Sequence, residues 1–320
     1  MCIITQDTIN ITMNKYITSM EDEFLTFGNG HCDVAWDKVD NVCEMMFGGE
    51  LEREPESLYK EYYYILKDLE NVAVTMSGGI DSETIAEVCV KEKIPFRASL
   101  MRYMINGQVM NSHDLQYAEE FLDEHGIYAH YFDMEIESFL DSDEFWKICT
   151  LYYCISPQLA CHLWLLSKLR HNTTVVPGDI MHMTNNTLSV NVFKYNTYDF
   201  FFRKNKQKGV AKILSHTPEI IASQILLQKD FKNTGTKGMY DKKCKLYAAG
   251  GFDAAPKPKK YTGFEEILKY YQMKYDGDHL YQVFNDRYRR PLEAKIQQPK
   301  QIYTWFNDEL QAYIDEYNSI

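Results

Sequence analysis

The first 70 residues mix polar and apolar positions, as in Glu23-Phe24-Leu25-Thr26-Phe27, and carry turn signals at Gly28-Asn29-Gly30 and Gly48-Gly49. That pattern predicts a short strand or hairpin, then a helix over 56–70 with Tyr62, Tyr63, Leu66 and Leu69 on its apolar face. From Val72 onward strand and helix signals alternate. The run Val72-Ala73-Val74-Thr75-Met76 before a glycine pair reads as a buried parallel strand, and 81–93 as a helix. A second strand is expected over 95–101. A helix follows over 114–125, with Leu115, Ala118, Phe121 and Leu122 on one side and Gly126 just past its end. A third strand over 127–134, an apolar helix over 157–169 and a fourth strand over 173–176 complete the alternation, which ends at Pro177-Gly178-Asp179. Such alternation with short connections predicts an α/β fold, a doubly wound parallel sheet with helices on both faces. Beyond Asp199 helical pattern dominates and no further strand is expected. The segment 232–260 holds four Gly, two Pro and eight Lys and reads as a mobile loop or a lid, and 263–320 as helical, with Phe264, Ile267, Leu268 and Tyr271 at helical spacing. Three parts are expected: an N-terminal extension over 1–70, a nucleotide-binding α/β domain over 71–200, and a mostly helical portion over 201–320.

Composition narrows the partners. The chain has 320 residues, 45% hydrophobic and 25% charged, with 34 Lys and Arg against 46 Asp and Glu, a formal net charge of −12. A protein of that sign is repelled by nucleic-acid backbones unless it gathers basic residues on one face. Small phosphate-bearing ligands remain open, because backbone N–H groups and a few cations bind them locally. None of the eight cysteines falls in a CxxC pair, which leaves a zinc ribbon or thioredoxin-type motif unsupported. No signal peptide is expected, and no apolar run reaches the ~18 residues needed to cross a bilayer. The cytoplasm is the expected location, a host's if the chain is virus-encoded, since low Pro with plentiful Lys, Asn and Tyr hints at an AT-rich genome.

The sharpest chemical signal is Ser77-Gly78-Gly79-Ile80-Asp81-Ser82, set where a strand ends and a helix begins. Gly78 and Gly79 let the backbone approach an anion, Ser77 and Ser82 offer hydroxyls, and the helix start contributes partial positive charge. The spacing is not GxxxxGK[ST], so this is not a Walker loop.

SGGIDS after an apolar strand resembles the signature of the N-type ATP pyrophosphatases, which include asparagine synthetase, NAD synthase, GMP synthase and argininosuccinate synthase. The resemblance implies ATP, with Mg²⁺, as cofactor: Ser77 to Ser82 would hold the departing pyrophosphate, and Asp81 would bind the metal. Further matches are similar to the asparagine-synthetase branch. They are Asn111-Ser112-His113-Asp114-Leu115-Gln116-Tyr117-Ala118, Ser156-Pro157 before its apolar helix, and Val175-Val176-Pro177-Gly178-Asp179. They run in order over roughly 70–185. In that branch the last turn continues into an Ala-Asp-Glu-like acidic pair; here Ile180-Met181-His182-Met183 follows and Asp179 alone remains. The resemblance also implies adenine contacts from the backbone near Leu100 and Met101, a second metal ligand at Asp179 beside Gly178, and cations over the phosphates. Lys243 and Arg290 are the candidates for the last role, with Lys237, Lys242, Lys245, Lys257, Lys259 and Lys260 nearby in sequence; solvated surface lysines and a helix-end salt bridge are the competing readings. His182 is a further candidate beside the Asp179 turn.

The expected function is that of an AMP-forming ligase. It adenylates a small carboxylate, releases pyrophosphate and forms an amide with ammonia, an amine substrate or a nitrogen donor carried by a separate protein. The segment before Ser77 is too short for a glutaminase domain built on Cys2. A homo-oligomer is an open expectation. The alternatives are a nucleobase- or tRNA-modifying member of the superfamily and a non-catalytic nucleotide-binding module.

Overall fold

The computed structural model describes residues 25–28, 31–35, 51, 53–152, 154, 156–178, 180, 182–184, 187–191, 197–198, 201–202, 204–229, 239–257, 263–274 and 280–289. The expected N-terminal hairpin is present as β1 (Leu25–Gly28) and β2 (His31–Ala35), paired antiparallel with Gly28 opposite His31. Its outer partner was not expected. β8 (His182–Thr184) and β9 (Thr187–Asn191) form a second hairpin, and β9 pairs antiparallel with β2, giving a four-stranded sheet in the order β1-β2-β9-β8. The helix expected over 56–70 is α1 (Leu58–Leu66), begun by Ser57, whose hydroxyl accepts from the Lys60 N–H.

The parallel sheet contains β3 (Val72–Met76), β4 (Phe96–Ile105), β6 (Ala129–Glu135), β7 (Thr173–Val175) and β10 (Gly209–Val210). A two-residue strand, β5 (Gln108–Val109), folds back antiparallel on the far end of β4. In space the parallel strands run β10-β7-β3-β4-β6, all pairs parallel. Numbered by chain order this is 3-2-1-4-5, the doubly wound arrangement, and its direction reverses between β3 and β7. β10 corrects the expectation that no strand follows Asp199. With only two residues it has no periodicity to detect, and the sheet thereby takes its fifth parallel strand from beyond residue 200.

Alternation along β3 divides the core. Val72, Val74 and Met76 join one apolar cluster with α1, α2 (Ile80–Lys91), α3 (Ser112–Glu124) and α8 (Met239–Ala249). Ala73 faces the opposite cluster, built from α4 (Ile136–Leu140), α5 (Asp143–Tyr152), α6 (Pro157–Lys168) and α9 (Phe264–Lys274). Helices on both faces, as expected, bury the continuous apolar run of β3. The remaining described α-helices are α7 (Pro218–Lys229) and α10 (Leu280–Phe284), with a 3₁₀ turn over Ile213–Ser215 and a π-helical turn over Asn285–Arg289. No described helix is long and apolar enough to cross a membrane.

The lysine-rich segment is the main departure on this face of the molecule. Its described residues are not a free loop: 239–249 form α8, and the irregular strap after it, 252–257, lies along α2. The strap is stitched to acids of α2. The Asp253 N–H donates to Glu87 Oε1 at 2.9 Å, Lys91 Nζ bridges Glu87 and Asp253, and Lys257 Nζ meets Glu83 Oε2 at 2.5 Å. Residues 232–238 and 258–260 lie outside the described set, and with them Lys237, Lys259 and Lys260.

Candidate functional site

In a doubly wound sheet the ligand crevice opens at the carboxyl ends of the strands where strand order reverses. Here that point lies between β3 and β7, and it gathers the loop 77–82, the turn at Gly178 and the residues following β10.

The loop closes on itself. Ser82 is fully buried; its Oγ donates to the Gly79 carbonyl at 2.9 Å and accepts from the Ser77 N–H at 3.2 Å. The Gly79 N–H in turn lies 3.4 Å from Ser77 Oγ. The Ser82 hydroxyl is therefore the staple of the loop, whereas Ser77 is exposed at its mouth. Ile80 contributes its side chain to the core and only its backbone to the loop. Gly78 has φ +72°, and a Cβ there would sit 1.8 Å from the Asp114 carbonyl oxygen. The first requirement on Gly78 is thus the approach of α3, a reason the sequence pattern did not disclose. Gly79, at φ −82° and ψ 153°, is the N-cap of α2 in a conformation open to any residue. At the start of α2 the Ser82 N–H already donates to the Gly79 carbonyl at 3.2 Å, and the N–H groups before it direct partial positive charge toward the crevice.

Asp81 stands in the first turn of α2 and is met by α8. Lys243 Nζ donates to Oδ2 at 2.9 Å and the Tyr247 hydroxyl to Oδ1 at 2.7 Å. The side chains are 13% exposed for Asp81 and 7% for Lys243, so this is a buried ion pair. The Tyr247 phenol is pushed well above its ordinary range, first by burial and then by the Asp81 charge; the buried Tyr62 phenol is raised for the same two reasons. Lys243 is thus brought to the predicted loop. Tyr247, which the sequence reading passed over, stands four residues on, on the same face of α8.

At the second strand Leu100 is fully buried and pairs with Met76. Past the end of β3 the buried backbone edge of β4 is spanned by Asn111: its Nδ2 donates to the Met101 carbonyl at 2.9 Å and its Oδ1 accepts from the Tyr103 N–H at 3.0 Å. Gly263, at φ +77°, packs so closely on Asn111 that a Cβ would come within 2.4 Å of the Asn111 Cβ. The Met101 carbonyl expected to face adenine therefore already accepts one hydrogen bond.

At the β7 turn Gly178 has φ +84°, and a Cβ there would lie 2.9–3.2 Å from the stem of Lys212. Lys212 follows β10 directly and is 7% exposed. It is a second cation at the carboxyl edge, hidden from sequence reading because the strand before it is too short to recognise. Asp179 and Arg290 lie outside the described residues, and of His182 only the backbone, in β8, is described. His162 is half-buried on α6, with Nδ1 2.9 Å from the Tyr198 hydroxyl.

The arrangement suits a polyphosphate: a closed glycine loop, a helix start, and cations on neighbouring elements. A divalent ion fits as one carried mainly by phosphate oxygens. Among the described residues no three His, Cys, Asp or Glu side chains gather to hold a metal, and Asp81 is the carboxylate that the loop itself supplies. Mg²⁺ is commonly bound in this way, through one or two carboxylates plus substrate phosphates.

No family model and no curated protein matches the chain. Among solved structures it is similar to an NH3-dependent NAD synthetase from Campylobacter jejuni subsp. jejuni NCTC 11168, in complex with nitrate, at 16% identity and TM-score 0.31, covering 82% of this chain and 94% of that one. An NMN synthetase from Francisella tularensis matches at 13% identity and TM-score 0.30, covering 69% and 94%. A U34-tRNA thiolase with a [4Fe-4S] cluster from Methanococcus maripaludis matches at 16% and 0.33, covering 74% and 78%.

Proposed function

We propose that the chain is an N-type ATP pyrophosphatase that activates a small carboxylate. The observation that carries this reading is the self-closed loop Ser77 to Ser82 at the switch point, with Asp81 held there by Lys243 and Tyr247. ATP lies along the carboxyl edge, its β- and γ-phosphates against the loop backbone and the start of α2. Adenine lies near Leu100 and Met101, sharing the Met101 carbonyl with Asn111. Lys243 and Lys212 supply positive charge, and Asp81 would help hold Mg²⁺, which would add neutralisation of the charge building on the leaving pyrophosphate. Asp179, beside Gly178, is the further acid in this reading, and Arg290 the further cation.

A substrate carboxylate oxygen attacks the α-phosphorus. The bond between the α-phosphorus and the bridging oxygen breaks, and pyrophosphate leaves with that oxygen. An amine or ammonia then attacks the acyl carbon, AMP departs, and an amide forms, as in asparagine synthetase. The net charge of −12 disfavours a nucleic-acid substrate. Thiolation needs a reactive thiol; Cys89, Cys149, Cys154 and Cys161 are buried, which leaves the half-buried Cys244 on α8 as the accessible thiol among the described residues.

The test is pyrophosphate and AMP release from Mg·ATP, screened over amino acids and other small carboxylates with ammonia present. Release that depends on one carboxylate supports the proposal and names the substrate class. ADP and phosphate as products would sink it.

A further inference from the structure

Both oxygens of Asp81 take a donor from α8, and the two donors differ in freedom. Tyr247 is fully buried, and its ring meets Phe252 edge-on at 5.5 Å; Phe252 in turn meets Tyr62 at 5.2 Å. The end of α8 is pinned to α1, where the Gly250 carbonyl accepts from the Tyr59 N–H at 2.9 Å and a Cβ on Gly250 would lie 2.9 Å from the Leu58 side chain. The phenol has no room to move. Lys243 sits one turn earlier on the same face and is also buried, but a lysine's four-carbon stem with three rotatable donors, unlike a packed ring, can re-aim its ammonium while the Cα stays in place.

We infer that Tyr247 is a positioning residue for Asp81. Its hydrogen bond commits Oδ1 and fixes the carboxylate rotamer, so that Oδ2, the oxygen paired with the movable Lys243, is the one offered to a phosphate-bound divalent cation. The inference rests on the ATP reading above. It divides α8 into a rigid and an exchangeable contact: Tyr247 orients, and Lys243 yields Oδ2 and turns its charge to the phosphates. An outer partner that orients a metal-binding carboxylate is commonly worth ten- to a hundred-fold in metal affinity. A purely structural phenol, one that merely satisfies its hydroxyl on a nearby acid, has no such effect.

The experiment is a titration of the full chain with ATP, with and without Mg²⁺, followed by calorimetry. It reads the factor by which the metal tightens ATP binding in the wild type, Tyr247→Phe, Asp81→Asn and the double variant. Tyr247→Phe removes one hydroxyl and keeps the ring contacts, and thermal melting checks that it folds. The factor is expected to fall about tenfold in Tyr247→Phe, with metal-free ATP affinity unchanged. The double variant is expected to lose no more than Asp81→Asn alone, because Tyr247 acts through Asp81. Additive losses, or equal weakening with and without metal, would overturn the inference and leave the ATP reading intact. Wild-type binding that is indifferent to Mg²⁺ would do the same. A wild-type chain that binds no ATP would overturn both.

Discussion

The loop at 77–82 and the segment at 239–257 meet on one carboxylate, yet they are built on opposite principles. The loop is local: every bond that shapes it joins residues within five positions, Ser77 with Ser82, Ser77 with Gly79 and Ser82 with Gly79. The segment is remote. Lys243 and Tyr247 reach Asp81 across 162 and 166 residues of chain, and Asp253 reaches Glu87 across 166. A local device leaves its mark on six consecutive residues. A remote one leaves only a helix, some lysines and an acid-rich face on α2, none of which names its partner. Two of the lysines that read as part of a lid, Lys243 and Lys257, are ion-paired to acids of α2, and the Lys243 pair ends on the candidate catalytic acid.

The largest loss is expected at the loop. Gly78→Ala places a Cβ 1.8 Å from the Asp114 carbonyl oxygen at a positive φ, and thermal melting should show a loss of about 4 kcal/mol or more. Next in size is Asp81. Asp81→Ala leaves the buried Lys243 ammonium without its carboxylate and should cost about 3 kcal/mol. The double variant Asp81→Asn with Lys243→Met should recover most of that stability, while pyrophosphate release stays down by about 100-fold or more. If stability and activity returned together, Asp81 would be structural only.

Smaller effects grade the strap. Lys257→Ala deprives the buried Glu83 carboxylate of its partner and should cost about 2 kcal/mol. Glu83 is already held above the usual carboxylate range, chiefly by burial, with Lys257 opposing that rise. Asp253→Ala should change stability by no more than about 0.5 kcal/mol, since the Asp253 carboxylate is 85% exposed and its backbone N–H bond to Glu87 survives. Denaturant melts of the two variants side by side would show whether the strap is held by its buried end, as the geometry requires.

Much of the parallel sheet was legible because it rests on runs with a clear period. β3, β4, β6 and β7 fall within a few residues of their expected places, as do α2, α3 and α6. What stayed hidden has a physical cause in each case. β10 is two residues long, so Lys212 beside it had no strand to mark it. β8 and β9 join the N-terminal hairpin through backbone pairing, which constrains side-chain type only weakly. Gly78 was legible as a glycine that must be a glycine, but for the approach of an anion, whereas the structure adds the approach of α3. Tyr247 had a readable clue, its four-residue spacing from Lys243, but spacing alone cannot tell a face turned to the core from one turned to an acid.

The most direct test of the account is the identity of what ATP becomes. ATP labelled in the adenine ring and, separately, in the γ-phosphate is incubated with Mg²⁺, the wild-type chain and a panel of small carboxylates, and the products are separated. The account predicts AMP and intact pyrophosphate in equal amounts, and neither from the Asp81→Asn, Lys243→Met double variant. ADP with free phosphate from the wild-type chain would contradict it.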